Sequence, residues 1–312
     1  MWAAIRVLSL YLAVSHGLTE EQAALFVTSG EPEENTQLVG WVRVSSSGDD
    51  WLIESNNIPD HATGDFPGRG NPNAIQEQDF DFYVAKNPQE ASDSTCLPPG
   101  PIAIATNGIV IYNPWDSDQE NAVEGDGAEI FDGCDGHPDG NGRYHYHRQP
   151  SGCLFSVTPG VPSPMIGVAF DGFAIYGPVD ESGNLLTSSD LDECHGRNNS
   201  DGVYQYHTTA DFPYILGCYK GTPQGVNKRS TKCFKASEAD AYGNVGSARV
   251  QSVSTSTTTA PTTTTTAPTT TTTMAPTTVP IPTTRRRTRT RTRRPARRTR
   301  RSRSSRRSAN IF

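Results

Sequence analysis

Near the middle of the chain runs the stretch Cys134-Asp-Gly-His137-Pro-Asp-Gly-Asn-Gly-Arg-Tyr144-His145-Tyr146-His147. Its last four residues alternate in type. On an extended strand alternate side chains point to opposite faces, so Tyr144 and Tyr146 share one face and His145 and His147 the other. The two histidine Cα atoms then lie roughly 6.5 to 7 Å apart, close enough for both imidazoles to reach one metal ion. A second stretch, Cys194-His195-Gly-Arg-Asn-Asn-Ser-Asp-Gly-Val-Tyr204-Gln205-Tyr206-His207, keeps the same 13-residue interval from cysteine to final histidine. Upstream of each, Asn107-Gly-Ile-Val-Ile-Tyr112-Asn-Pro114 matches Asp171-Gly-Phe-Ala-Ile-Tyr176-Gly-Pro178. Residues 97 to 218 therefore read as two copies of one unit, about 97–153 and 154–218, each with an apolar strand, a polar loop and an aromatic/histidine strand.

Working outward, short apolar runs end in turn pairs throughout. Val39 to Val44 and Trp51 to Ile53 read as a hairpin, and Phe80, Phe82 and Val84 as one face of a strand. Ile102 to Ile104, Ile109 to Tyr112, Met165 to Phe170 and Phe173 to Tyr176 are strands punctuated by Asn-Gly and Asp-Gly, pairs that tolerate positive φ. Residues 58 to 73 are dense in Pro, Gly, Asp and Asn and read as loop. No long amphipathic helix is evident; Glu20 to Phe26 offers two helical turns at most. The expected class is mainly β, a disulfide-stapled sandwich or barrel-like domain over residues 38–235, preceded by a mobile lead-in at 18–37 and followed by a disordered tail.

Six cysteines with no close CxxC pair point to disulfides and an oxidising compartment. The repeat favours Cys134 with Cys153 and Cys194 with Cys218, leaving Cys96 for Cys233. Met1-Trp-Ala-Ala-Ile-Arg6 and the apolar run Val7 to Val14 read as a signal peptide over 1–17, too short to cross a bilayer, and no other run is long enough. Asn198-Asn-Ser200 is a glycosylation sequon consistent with secretion. All 34 acidic residues precede residue 251, with 13 of the 27 basic ones, so the front part carries a net charge of −21, while the remainder holds 14 Arg and no acid. Residues 236–284, almost wholly Thr and Pro from 251, read as a glycosylated stalk. The Arg-rich tail, 285–312, reads in a secreted protein as a grip on extracellular polyanions or matrix rather than nucleic acid.

Tyr144-His145-Tyr146-His147, Phe170-Asp-Gly-Phe-Ala-Ile-Tyr-Gly-Pro178 and Leu191-Asp-Glu-Cys194 resemble the YHYH domain family, and the likeness extends over about residues 40 to 222. The resemblance implies a secreted protein that binds metal and assigns no activity. One departure stands out: Gln205 occupies the place of a histidine in the second tetrapeptide.

A metal site needs three or four ligands, and His145 with His147 supplies two. The repeat places His207 beside His147 across a pseudo-two-fold axis, with His137 or His61 arriving from loops. Imidazoles suit copper and zinc, ranked above iron because thiolates are unavailable once the cysteines are paired. Asp132, Asp135 and Asp139 raise a calcium loop as a further possibility, although the bidentate Glu of an EF-hand is missing. The four tyrosines of the two tetrapeptides read as core aromatics. No Gly-x-Ser-x-Gly, P-loop or HExxH motif is present. Three functions follow as expectations: a secreted copper- or zinc-binding module, a metal-dependent extracellular oxidase or hydrolase, and a structural matrix protein without a metal site.

Overall fold

Strands form where apolar and polar residues alternate or where β-branched residues run together. The computed structural model describes residues 17–68, 70–125, 127–150 and 152–224. Residues 1–16 of the expected signal peptide, the stalk and the Arg-rich tail lie outside them. Among the described residues one short α-helix, α1 (Glu20–Ala23), starts at a capping box in which the Thr19 hydroxyl accepts from the Gln22 amide and the Gln22 side chain accepts from the Thr19 amide, and Ser188–Asp190 form a single 3-10 turn.

The strands in chain order are β1 (Val42–Ser47), β2 (Asp50–Ser55), β3 (Phe80–Ala85), β4 (Glu90–Thr95), β5 (Pro101–Ala105), β6 (Val110–Tyr112) and β7 (Gly136–Pro138). They continue as β8 (Tyr144–Tyr146), β9 (Met165–Ala169), β10 (Ala174–Tyr176), β11 (Gly196–Asn198), β12 (Tyr204–His207) and β13 (Tyr219–Gly221). They make three sheets: β1-β2-β3, β13-β4, and an eight-stranded sheet in the order β11-β12-β10-β9-β5-β6-β8-β7.

The order of the large sheet runs the same way from each edge to its centre. From one edge, β7 pairs antiparallel with β8, β8 parallel with β6, and β6 antiparallel with β5. From the other, β11 pairs antiparallel with β12, β12 parallel with β10, and β10 antiparallel with β9. β5 and β9 join the halves antiparallel, with Ile104 opposite Val168. Their side chains are buried on both faces, which is why these runs read as continuous apolar stretches rather than alternating ones.

The three-stranded sheet lies over the β5–β6 and β9–β10 turns. The Ser55 hydroxyl donates to the Gly108 carbonyl at 2.7 Å, and Phe82 stacks on Phe170 with ring centroids 4.5 Å apart. Gly108 is required twice over: its φ is +84°, and a Cβ there would press into Ser55 and Val42. Cys134–Cys153 and Cys194–Cys218 are both formed, as the sequence led us to expect. Cys96 is also disulfide-bonded, and its expected partner Cys233 lies outside the described residues.

Candidate metal centre

The Tyr-His alternation is realised on β8. Tyr144 and Tyr146 turn to one face, where Tyr144 donates to Asp132 at 2.7 Å and both rings pack against His61. His145 and His147 turn to the other. β7 brings His137 directly opposite His145 in the antiparallel register, and opposite residues of such a pair have Cβ atoms about 5 Å apart. This close pairing needs the glycine before His137, because a Cβ at Gly136 would run into the Tyr144 ring.

The three imidazoles converge through their Nε2 atoms. His145 Nε2 is 3.0 Å from His137 Nε2 and 3.1 Å from His147 Nε2. Each Nδ1 meets a backbone carbonyl: His137 at Ile130 (3.1 Å), His145 at Arg143 (3.0 Å), His147 at Asn113 (2.6 Å). A carbonyl only accepts, so each Nδ1 carries a proton, and in the neutral imidazole Nε2 then turns its lone pair toward the others. That is the tautomer and outer-shell arrangement of metal-ligating histidines.

A carboxylate completes the group. Glu129 Oε2 lies 3.0 Å from His137 Nε2 and 3.1 Å from His147 Nε2, and it is buried with no hydrogen-bond donor reaching it. One atom from each of the four residues lies within 4.8 Å of every other. A tetrahedral ion with bonds of about 2.0 to 2.1 Å separates its ligand atoms by about 3.3 Å, a few tenths of an ångström more than the closest contacts seen here.

The electrostatics match the donor set. Burial and the neighbouring His147 and His137 push His145 well below the ordinary imidazole range, keeping it neutral and able to donate a lone pair. Burial pushes Glu129 upward, but hydrogen bonding and electrostatic attraction from His137 and His147 outweigh it and hold the carboxylate well below its usual range, an effect that needs positive charge at this point, either a proton on Nε2 or a bound cation. Tyr112 stacks on the His145 ring with centroids 3.8 Å apart, fixing its orientation from the side. All four residues line a cavity of about 750 Å³, walled also by Asn71, Asn73, Trp115 and Asp116, a volume suited to a small molecule.

Of the five histidines expected to ligate, the structure brings together His137, His145 and His147. His61 is on the tyrosine face, its Nε2 2.7 Å from the Tyr146 hydroxyl. His207 does not join His147. Four strands separate β12 from β8, which at about 4.8 Å per step puts them about 24 Å apart, so the site shared by both halves does not form. His207 instead holds Gly177 O through Nδ1 and faces the Gln205 amide. His195 occupies a turn position with φ +75°, between Ile215 O and the Ser188 and Thr209 hydroxyls. Asp132, Asp135 and Asp139 do not assemble an oxygen cage either. Asp132 and Asp139 cap their own turns, and Asp135 pairs with Arg148.

Glu129 was not foreseen. Its one cue is length, because Asp116 to Cys134 spans 18 positions where Asp180 to Cys194 spans 14, and Glu129 lies in that longer loop.

Residues 81–185 match the family model described as YHYH protein. Over this stretch the chain is similar to the YHYH family. The match contains Glu129, His137, His145 and His147, whereas His61, His195 and His207 fall outside it. The YHYH tetrapeptide thus divides its work by face, its tyrosines entering the core and its histidines the cavity. No curated protein and no solved structure matches the chain.

Proposed function

We propose that the YHYH-like domain binds one divalent transition-metal ion, copper or zinc, through Nε2 of His137, His145 and His147 and a carboxylate oxygen of Glu129. One observation carries this reading: three ring nitrogens, each on an imidazole whose Nδ1 is taken up by a backbone carbonyl, and a buried carboxylate oxygen without a hydrogen-bond donor point at one another. Lone pairs at 3.0 to 3.1 Å repel unless a cation lies between them. The competing account is a proton shared between Glu129 and one imidazole, which leaves the remaining nitrogens unpaired.

The cavity favours a second reading of the same site, that of a metal-dependent oxidase or hydrolase. All four ligand residues border it, so an exchangeable position on the ion would face a space large enough for substrate. In both readings the chain acts outside the cell. The support is two disulfides, a fifth bonded cysteine in Cys96 and the amino-terminal apolar run. No helix among the described residues is long and apolar enough to cross a membrane. The Thr-rich stalk would then tether the domain to a polyanion-binding Arg tail.

Equilibrium dialysis of the purified chain against zinc or copper, followed by elemental analysis, tests the reading. One ion per chain, falling to none in a His145→Ala/His147→Ala variant, is expected. A metal-free wild type would refute it.

A further inference from the structure

The opposite end of the large sheet repeats this local frame with two of its four groups exchanged. Arg197 faces Gln205 across β11 and β12 in the register that pairs His137 with His145 across β7 and β8. His207 donates Nδ1–H to the carbonyl just after β10, that of Gly177, at 2.9 Å; His147 does the same to the carbonyl just after β6. Asp192 Oδ1 accepts from the Cys194 and Gly196 amides as Asp132 Oδ1 accepts from those of Cys134 and Gly136. The Tyr204 hydroxyl donates to Asp192 as that of Tyr144 does to Asp132. A loop carboxylate reaches each frame, Glu129 in one and Glu181 in the other, from different places along their loops.

What differs is how the lone pairs are answered. The Gln205 amide donates to His207 Nε2 at 2.8 Å, so this nitrogen is satisfied. Arg197 Nη1 bonds Glu181 Oε2 at 2.8 Å and lies 3.7 Å from Asp180 Oδ2. A guanidinium is a permanent cation that supplies donors and no lone pair, so it can neutralise these carboxylates but cannot ligate.

We infer that the second half of the sheet carries a closed counterpart of the metal site, in which the Arg197 guanidinium and the Gln205 amide do what the ion does in the first half. The inference rests on the metal reading of His137, His145 and His147. The chain then binds a single ion, and the second half keeps its geometry without one. Two substitutions, Arg197→His and Gln205→His, open the counterpart to zinc, with His207 and Glu181 as its other ligands.

The test uses the full chain and zinc alone, with bound metal measured after equilibrium dialysis. Wild type holds one zinc and the Arg197→His/Gln205→His variant two; with His145→Ala/His147→Ala added to each, the counts become none and one. A wild type without zinc defeats the metal reading of the first half. A wild type with one zinc and a double variant that also holds one, while giving a wild-type circular dichroism spectrum, overturns the closed counterpart. If the double variant does not fold, anomalous diffraction from zinc-soaked wild-type crystals decides: one peak among His137, His145 and His147 supports the inference, and a second beside His207 overturns it.

Discussion

His145 is the central ligand of the proposed site, and replacing it with alanine separates its role in packing from its role in metal binding. Its Nε2 makes both of the closest nitrogen contacts, the residue is 2% exposed, and its ring is stacked on Tyr112. Truncation forfeits the stacking, about 0.5 to 1.5 kcal/mol, whether or not metal is present. The metal-dependent effect is separate. An ion that binds only the folded chain stabilises it by about 2.7 kcal/mol at a hundredfold excess over its dissociation constant. For a domain of about 200 residues each kcal/mol corresponds to about 2 to 4 °C, so zinc should raise the wild-type Tm by about 5 to 11 °C over a chelated control. At the same zinc concentration, a loss of about a thousandfold in affinity reduces that contribution to below about 0.1 kcal/mol. Differential scanning calorimetry with zinc and with chelator should therefore show the rise in wild type and none in His145→Ala, whatever the variant's own Tm. Equal rises in both proteins, or no rise in wild type, would refute the reasoning.

Further outcomes follow from the rest of the fold. Tyr144→Phe removes the 2.7 Å hydrogen bond to Asp132 on the face of β8 away from the histidines; stability should fall by about 1.5 to 3 kcal/mol in urea titrations while zinc stoichiometry stays at one. Cys194→Ala/Cys218→Ala opens a loop of sequence separation 24, and the chain-entropy relation gives a loss of about 3.5 kcal/mol, measurable by the same titration. Buried Asp171 is raised to about 6 by desolvation, partly offset by hydrogen bonds from Tyr206, Gly221 and Phe173. The fold favours its protonated form, so its contribution is full below pH 3.8 and is lost as pH rises through about 6, a change of about 3 kcal/mol. Buried His195, lowered to about 4 mainly by desolvation, works in the opposite sense: its contribution is full above pH 6.5 and is lost as pH falls through about 4. Comparing wild type with Asp171→Asn from pH 4 to 7 isolates the aspartate. The variant should gain relative stability as pH rises, and a pH-independent difference would show that Asp171 does not titrate in this window.

Much of this architecture is legible in the residues, because strand periodicity speaks directly. The alternation in Tyr144 to His147 gives the two faces of β8, and the Asn107-Gly108 and Asp171-Gly172 pairs mark the hairpin turns of β5–β6 and β9–β10. The 13-residue intervals anticipate the matched cysteine pairings. The ligand set was harder to read. A repeat says that two halves are alike and not whether their equivalent faces meet; placing β5 and β9 together at the centre sends β8 and β12 apart, and with them His147 and His207. Glu129 comes from a loop with no periodicity, so only three-dimensional closure shows that its carboxylate reaches the imidazoles. His137 was legible as a candidate, but its place opposite His145 depends on the β7–β8 register, which the loop between them sets.

X-ray absorption at the zinc edge of the loaded wild-type chain tests the central claim most directly. The account predicts multiple scattering from three imidazoles with nitrogen at about 2.0 to 2.1 Å, a further oxygen shell and no sulfur. Two or fewer imidazoles, or a sulfur shell at about 2.3 Å, would contradict it.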